Sequence, residues 1–151
     1  LEFNSQGYKG LDATRAEIYK SAFNLIRENL IFGTGAASFP EIFFQETSFW
    51  KGHSHNLLLE LSISYGLPSA FCFFIITSNI LYLSSKKIFF NKKGFNLNLF
   101  DRAIWSALFV FLISQLADVQ YFDGKISLIA WILIASLKNI ILENRHKKLN
   151  K

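Results

Sequence analysis

The sequence predicts an all-α membrane protein, in which an extracytoplasmic loop with one amphipathic helix is followed by about three transmembrane helices. Apolar residues make up 51% of the 151 residues, and 17 of them are Phe; this composition is typical of lipid-facing helices. Basic residues are distributed unevenly along the chain. Residues 1–55 carry five Lys or Arg against six acids, whereas the positive excess lies in short clusters beside apolar runs. Clusters in that position are a topology signal and do not indicate nucleic-acid binding.

The first element is a segment at 1–55 that we expect to be extracytoplasmic. Residues 1–12 contain few apolar side chains, and we interpret them as a loop. Thr14-x-x-Glu17 has the pattern of a capping box, and the following apolar residues repeat at helical spacing. These observations predict an amphipathic helix at about 13–31, which ends before the glycines at 33 and 35.

The next stretch, 36–52, is predicted to be irregular. It contains Pro40 and an aromatic set, and aromatic side chains favour the headgroup layer of a membrane. We therefore expect an interfacial loop here. Residues 56–65 favour a short helix, which Gly66-Leu67-Pro68 interrupts.

The region 56–151 is predicted to be the membrane part of the chain. Three apolar runs, about 67–85, 103–122 and 126–142, approach the roughly 20 residues that a transmembrane helix needs. A turn at Asp123-Gly124-Lys125 separates the last two runs, and residues 143–151 form a basic tail.

The predicted spans agree with the distribution of charge. Three spans place both lysine-rich segments, 86–102 and 143–151, on one side of the membrane and residues 1–55 on the other. The positive-inside rule makes the basic side cytoplasmic. The expected location is therefore the bacterial inner membrane, with residues 1–55 periplasmic and the C-terminus cytoplasmic.

Gln115 and Asp118 lie near the end of the second predicted span. Polar side chains in a membrane need partners, which three helices by themselves do not obviously supply. The chain also begins with Leu1 and not with Met. We therefore expect it to be the C-terminal part of a larger helical bundle.

His53, His55 and Asn56 lie where the polar segment meets the membrane segment. The two histidines have no Cys, Asp or third His close to them in sequence, so spacing alone predicts no metal site. Two interpretations stay open. In the first, both histidines are solvated loop residues. In the second, His55 is held at a helix start and acts as a general base or hydrogen-bond donor.

Arg15 and Arg27 lie twelve residues apart on the amphipathic helix, about three turns, and are expected in a similar sector. They are either solvated charges or anion-binding groups. Arg15 is the stronger candidate, because free amides at a helix start favour phosphate.

An ordered set of short motifs resembles the O-antigen ligase and polymerase family. An arginine (Arg15) opens a helix, and a G-x-G turn (Gly33-Thr34-Gly35) follows the helix. An H-N-x-x-L motif (His55–Leu59) then begins the next helix, which closes at Gly66-Leu67-Pro68. The resemblance covers about residues 12–80. Leu30 and Pro68 depart from the family pattern at turn positions.

The resemblance implies a polytopic inner-membrane glycosyltransferase that uses a polyprenyl-diphosphate-linked glycan as donor. The acceptor would be a lipid A core or a growing polysaccharide, and no cofactor or metal would be needed. Arg15 would then bind the diphosphate and His55 would activate the acceptor hydroxyl, with His53, Asn56 and Arg27 as further substrate-binding residues. The missing N-terminal helices would complete the enzyme, and the fragment alone would be inactive.

An alternative function with the same signature is membrane transport of a solute or of inorganic carbon. In that case the polar residues of the second span, Gln115 and Asp118, would matter more than Arg15 and His55. Alanine at Arg15 or His55 distinguishes the two, because only glycan transfer depends on them.

Overall fold

The computed structural model describes residues 15–90 and 99–149, with side chains through residue 142. Within these ranges the chain forms six helices and no strand, which confirms the all-α prediction. The helices are α1 (Arg15–Glu28), α2 (Phe39–Thr47), α3 (Leu57–Tyr65), α4 (Leu67–Phe89), α5 (Leu99–Ser114) and α6 (Gly124–Leu149). The predicted loop at 1–12, the predicted cap Thr14 and the lysines at 92, 93 and 151 lie outside the described residues.

The chain divides into two compact units. The first unit contains the residues up to Cys72 together with Leu116–Val119, and the second contains Phe73–Gln115 and the residues from Gln120 onward. The first unit therefore holds α1, α2, α3 and a short return segment from much later in the sequence. The second unit holds most of the apolar helical chain.

Helix α1 is amphipathic, as its sequence predicts. Ile18, Ala22 and Leu25 are at most 4% exposed and form one face of the core of the first unit. The hydroxyl of Ser21 on the same face donates to a carboxylate oxygen of Glu46 at 2.7 Å, which links α1 to α2. The burial of this stripe, and not intrinsic propensity, accounts for most of the stability of such a short helix.

The prediction of an irregular segment at 36–52 was wrong in part, because residues 39–47 form helix α2. Pro40 does not prevent this helix, since it lies in the first turn, where its missing N–H has no helical partner to lose. Phe39 and Phe43 are one turn apart, fully buried and stacked with ring centroids 5.4 Å apart. These two side chains therefore pack in the protein core and do not lie in a membrane interface.

The G-x-G turn after α1 docks onto the end of α3. The amide of Thr34 donates to the carbonyl of Ile63 at 2.7 Å, and the amide of Gly35 donates to that of Ser64 at 3.2 Å. A Cβ on Gly33 would lie 2.5 Å from the carbonyl oxygen of Ile63, and Gly33 has φ +71°. Glycine is required here both by the backbone conformation and by the close approach of two backbones.

The break at Gly66 is the other half of this contact. Gly66 has φ +83°, and a Cβ there would collide with the carbonyl oxygen of Ile31. The next amide, of Leu67, donates to the carbonyl of Leu30 at 2.9 Å. The two glycine motifs of the sequence are thus one structure, a backbone-to-backbone junction that joins the ends of α1 and α3.

Two helices are long and apolar enough to cross a membrane: α4 (Leu67–Phe89) and the Gly124–Leu142 part of α6. Little of either apolar window is buried within the chain, and large apolar side chains such as Phe74 and Ile132 are exposed. This exposure is what lipid-facing helices require. Helix α4 continues past its predicted end at residue 85.

The predicted second span at 103–122 differs from the structure. Helix α5 runs from Leu99 to Ser114, about 24 Å at 1.5 Å per residue, which is shorter than the roughly 30 Å hydrocarbon layer. The chain turns at Gln115, whose side-chain oxygen accepts hydrogen bonds from the amides of Gln120 and Tyr121 at 2.9 and 3.0 Å. A buried glutamine thus satisfies the backbone of the turn, and its polarity needs no functional partner.

The predicted turn at Asp123-Gly124-Lys125 is the start of α6. The carboxylate of Asp123 accepts hydrogen bonds from the amides of Lys125 and Ile126 at 2.9 and 3.2 Å. Asp123 is therefore a helix cap.

Candidate active site

Three side chains of the first unit that carry ionisable groups meet at one point: His53, His55 and Asp118. Nδ1 of His55 lies 3.1 Å from Oδ1 of Asp118, and Nε2 of His53 lies 3.6 Å from the same oxygen. The two imidazole rings contact edge to face, with centroids 4.4 Å apart. Both histidine side chains are about 30% exposed, and that of Asp118 is 53% exposed, so the cluster is open to a ligand.

The backbone at His55 adopts the left-handed conformation, with φ +55°. This conformation is uncommon and costly for a residue with a β-carbon, and such strain concentrates at functional sites. It accompanies a tight bend in which the amide of His55 donates to Nδ1 of His53 at 3.2 Å. The bend brings together two side chains that are separated by only one residue.

Two anchors hold this bend. The amide of Ser54 donates to the buried carboxylate of Glu60 at 2.8 Å, and the hydroxyl of Ser54 donates to the carbonyl of Asn56. Ser54 is fully buried. The loop between the histidines is therefore fixed to the first turn of α3, which places His55 at the start of that helix.

Asn56 is the cap of α3. Its side-chain oxygen accepts hydrogen bonds from the amides of Leu58 and Leu59 at 3.0 and 3.2 Å. Its side-chain nitrogen donates to the carbonyl of Leu116 at 3.2 Å, which ties down the segment that carries Asp118. The hydrogen-bonding capacity that the sequence analysis assigned to substrate is thus used to build the site.

Asp118 is an ionised acceptor. The hydrogen bond with His55 lowers the pKa of its carboxyl below the usual value, and the amide of Val119, at 2.9 Å from Oδ1, acts in the same direction. An ionised carboxylate accepts hydrogen bonds only, so Nδ1 of His55 is the donor. Nε2 of a neutral His55 then carries the free lone pair, and this tautomer suits a general base.

His53 has a different environment. Partial burial lowers the pKa of His53 below its ordinary value, and the His55 ring adds to this effect, while Asp118 and Glu60 oppose it. The net direction favours the neutral imidazole. Because Nδ1 of His53 accepts from the His55 amide, a neutral His53 carries its proton on Nε2.

Arg15 and Arg27 are both exposed, and no hydrogen bond or ion pair joins either of them to the histidine cluster in the part of the chain that the structure describes. The expectation that they share a sector is corrected by the helix itself. Twelve residues are three and one-third turns, so the side chains diverge by about 120° and lie about 18 Å apart along the axis. One diphosphate cannot bind both.

The two arginines also lie in different local fields. Arg15 opens α1, where free amides and the helix dipole favour anions. Arg27 lies in the last turn, where the dipole disfavours anions, and it lines an open groove of about 350 Å³ with Phe32 and Gly33. The structure thus separates the two candidates that the sequence grouped.

Asp118 is the site residue that the sequence did not connect with the histidines. It is 63 residues from His55, and its position near the end of an apolar run only marked it as a carboxylate needing a partner. The same residue changes the metal question, because the ligand atoms of His53, His55 and Asp118 lie within 4.8 Å of one another. Spacing along the sequence offered no such third ligand.

A family model described as O-antigen ligase matches residues 2–74. This part of the chain is therefore similar to the O-antigen ligase family. The match confirms the resemblance inferred from the arginine, G-x-G and H-N-x-x-L motifs, and it contains His53, His55 and Asn56. Curated proteins and solved structures gave no match. This similarity, together with the two apolar helices, indicates a membrane protein with a glycosyltransferase-like function.

Proposed function

We propose that this chain is part of an inner-membrane glycosyltransferase that moves a glycan from a polyprenyl diphosphate to a lipid A core or a growing polysaccharide. The observation that carries the proposal is the pair of His55 and Asp118, of which His55 lies within the segment that matches the O-antigen ligase model. A hydroxyl acceptor needs a base, and a histidine oriented by a carboxylate is a common protein solution.

The reaction assigns one role to each group. Nε2 of His55 accepts the proton of the acceptor hydroxyl as its oxygen attacks the anomeric carbon of the donor sugar. The bond from that carbon to the diphosphate oxygen breaks, and the diphosphate leaves with the electron pair. Asp118 keeps Nδ1 protonated and stabilises the imidazolium that forms. None of these steps uses a metal.

Arg15 is proposed to bind the diphosphate. A leaving group that gains negative charge is stabilised by a fixed cation and by helix amides directed at it. Arg15 combines the two at the start of α1, whereas Arg27 lies at the disfavoured end. We therefore assign no diphosphate contact to Arg27.

The proposed orientation follows from charge. Lys86 and Lys87 end the apolar part of α4, and the basic tail follows that of α6, so the positive-inside rule assigns these ends to the cytoplasm. The first unit, with His55 and Asp118, would then face the periplasm. Donor glycans of this type are used on that face, as the resemblance implies.

Transport gains no support from the residues that would have carried it. Gln115 is occupied by two backbone amides, and Asp118 lies outside the helices, beside the histidines. Neither residue provides a polar path within a span.

The test uses the full-length gene in a host that lacks its own surface-polysaccharide ligase and polymerase. His55→Asn is preferred to His55→Ala, because asparagine tolerates the left-handed backbone and removes only the imidazole. Loss of a general base is expected to lower transfer by about 10²–10⁴-fold. Surface glycan is analysed on gels after membrane levels of each variant are matched.

The control is the pair of arginines on α1. Arg15→Ala is expected to abolish glycan attachment or chain extension, and Arg27→Ala to leave most of it. Which product is lost separates ligase from polymerase. Normal glycan in both His55→Asn and Arg15→Ala, at normal protein levels, would contradict the proposed function.

A further inference from the structure

His53, His55 and Asp118 have the donor atoms and the spacing of a transition-metal site. Two imidazole nitrogens and one carboxylate oxygen form a ligand set that zinc uses in sites with an open fourth position. In zinc sites of this kind, the nitrogen and oxygen ligands lie about 2.0–2.1 Å from the metal. Two ligand atoms at a tetrahedral angle are then about 3.3 Å apart. The two measured separations from Oδ1 of Asp118, 3.1 Å to Nδ1 of His55 and 3.6 Å to Nε2 of His53, bracket that value.

The surroundings also meet the needs of a metal site. The amide of Val119 donates to the same oxygen of Asp118 at 2.9 Å and fixes it, as outer-shell partners of metal ligands do. The loop of His53 and His55 is tied to α3 through Ser54 and Glu60. All three ligand side chains are partly exposed, so an ion can enter without any movement of the core.

We propose that His53, His55 and Asp118 bind a divalent ion of the zinc class, and that this ion inhibits the glycan transfer assigned to His55. The second part rests on the proposed function. A metal on Nδ1 of His55 requires the other tautomer of the neutral ring: Nδ1 gives its proton to solvent, and Nε2 takes up a proton from solvent, so no proton is released overall. Nε2 then has no lone pair for the acceptor hydroxyl.

Binding requires one exchange at His53. Ligation through Nε2 places the ring proton on Nδ1, so the 3.2 Å hydrogen bond that Nδ1 accepts from the His55 amide is lost. One long neutral hydrogen bond is thereby replaced by a metal–nitrogen bond. The site is consequently available to zinc but is not built for it alone, as expected of an inhibitory ion and not of a resident cofactor.

The experiment measures metal binding and transfer separately on the purified full-length protein in detergent. Zinc alone is titrated against a chromophoric chelator, and cobalt reports the coordination geometry through its visible spectrum. His53→Asn and Asp118→Asn are each expected to weaken zinc binding by at least about tenfold. The matched control, His146→Asn, removes the remaining histidine of the chain and is expected to bind like the unmodified protein.

Each outcome decides one part of the inference. Binding that is equally strong in the unmodified protein, His53→Asn and Asp118→Asn overturns the site, even where transfer still depends on His55. The spectrum of tetrahedral cobalt in the unmodified protein supports the site without relying on any variant. Zinc that binds and suppresses transfer, with recovery on adding chelator, supports both parts. Zinc that binds without changing transfer retains the site and overturns the role given to His55.

Discussion

The junction between the G-x-G turn and the Gly66 break gives the sharpest stability prediction, which concerns Gly66→Ala. The backbone at Gly66, with φ +83° and ψ 164°, lies in a region that is essentially restricted to glycine and costs other residues about 1–3 kcal/mol. A Cβ would also collide with the carbonyl oxygen of Ile31 and lie 2.5 Å from the carbonyl carbon. Both are backbone atoms, so no side-chain rotation relieves the contact.

The backbone shift that this contact requires has its own cost. It would disrupt the 2.9 Å hydrogen bond from the amide of Leu67 to the carbonyl of Leu30, and a lost hydrogen bond costs about 0.5–1.5 kcal/mol. Strain and the lost hydrogen bond together lower the free energy of unfolding by about 1.5–4.5 kcal/mol. Since domains are stable by about 5–15 kcal/mol, Gly66→Ala should be severely destabilising.

Two other glycines separate the contributions. Gly35 has φ +106°, but an added β-carbon would have nothing within 4 Å, so Gly35→Ala should show strain without collision. Gly52 has neither a positive φ nor a neighbour within 4 Å of that position, so Gly52→Ala should be near neutral. The assay is thermal unfolding of the detergent-solubilised full-length protein, together with its membrane abundance. A Gly66→Ala protein as stable as Gly52→Ala would refute the backbone-to-backbone junction.

Three further predictions concern packing and capping. Phe43→Ala should lower the free energy of unfolding by about 3–5 kcal/mol, because Phe43 is fully buried. Its neighbour Phe44 is 45% exposed and should tolerate alanine. Thermal unfolding of the two variants checks this. Asn56→Ala should lower the free energy of unfolding by about 0.5–2 kcal/mol through loss of the α3 cap. In the same assay, Asn56→Ser should recover most of this loss, and equal losses in the two variants would contradict a capping role. Gln115→Leu should cost about 1–3 kcal/mol, because the amides of Gln120 and Tyr121 lose their acceptor, and Gln115→Glu, which keeps that acceptor, should be milder; proteolysis rates of the two variants would show it.

The sequence predicted correctly those features that depend on one residue type or on one spacing of apolar residues. Helical spacing predicted the buried stripe of α1, and Asn56 before a leucine run marked the start of α3. The order of the arginine, G-x-G and H-N-x-x-L motifs predicted the family that residues 2–74 match. Long apolar runs predicted α4 and α6, because lipid selects for uninterrupted apolar helix.

The sequence misled where a local signal was overruled by packing. Pro40 and the nearby aromatics suggested an irregular interfacial segment, but two of these aromatics, Phe39 and Phe43, are one helical turn apart and fill a core. The second apolar run continued past residue 114 by composition, yet the helix ends at Ser114 and the side chain of Gln115 accepts hydrogen bonds from amides of the turn that follows. Hydrophobicity alone predicts neither the buried helix α2 nor the end of α5. Both depend on tertiary contacts that the local sequence does not show.

The sequence by itself therefore determined the helical class, the apolar helices and the resemblance to the O-antigen ligase family, and it made His55 the principal candidate. Only the tertiary structure decided what His55 can do. It placed Asp118 against the ring from 63 residues away, and it separated Arg15 from Arg27 around and along α1. The physical reason is that the hydrogen-bond partner of a histidine decides which ring nitrogen carries the proton, and Asp118 becomes the neighbour of His55 only when the chain folds.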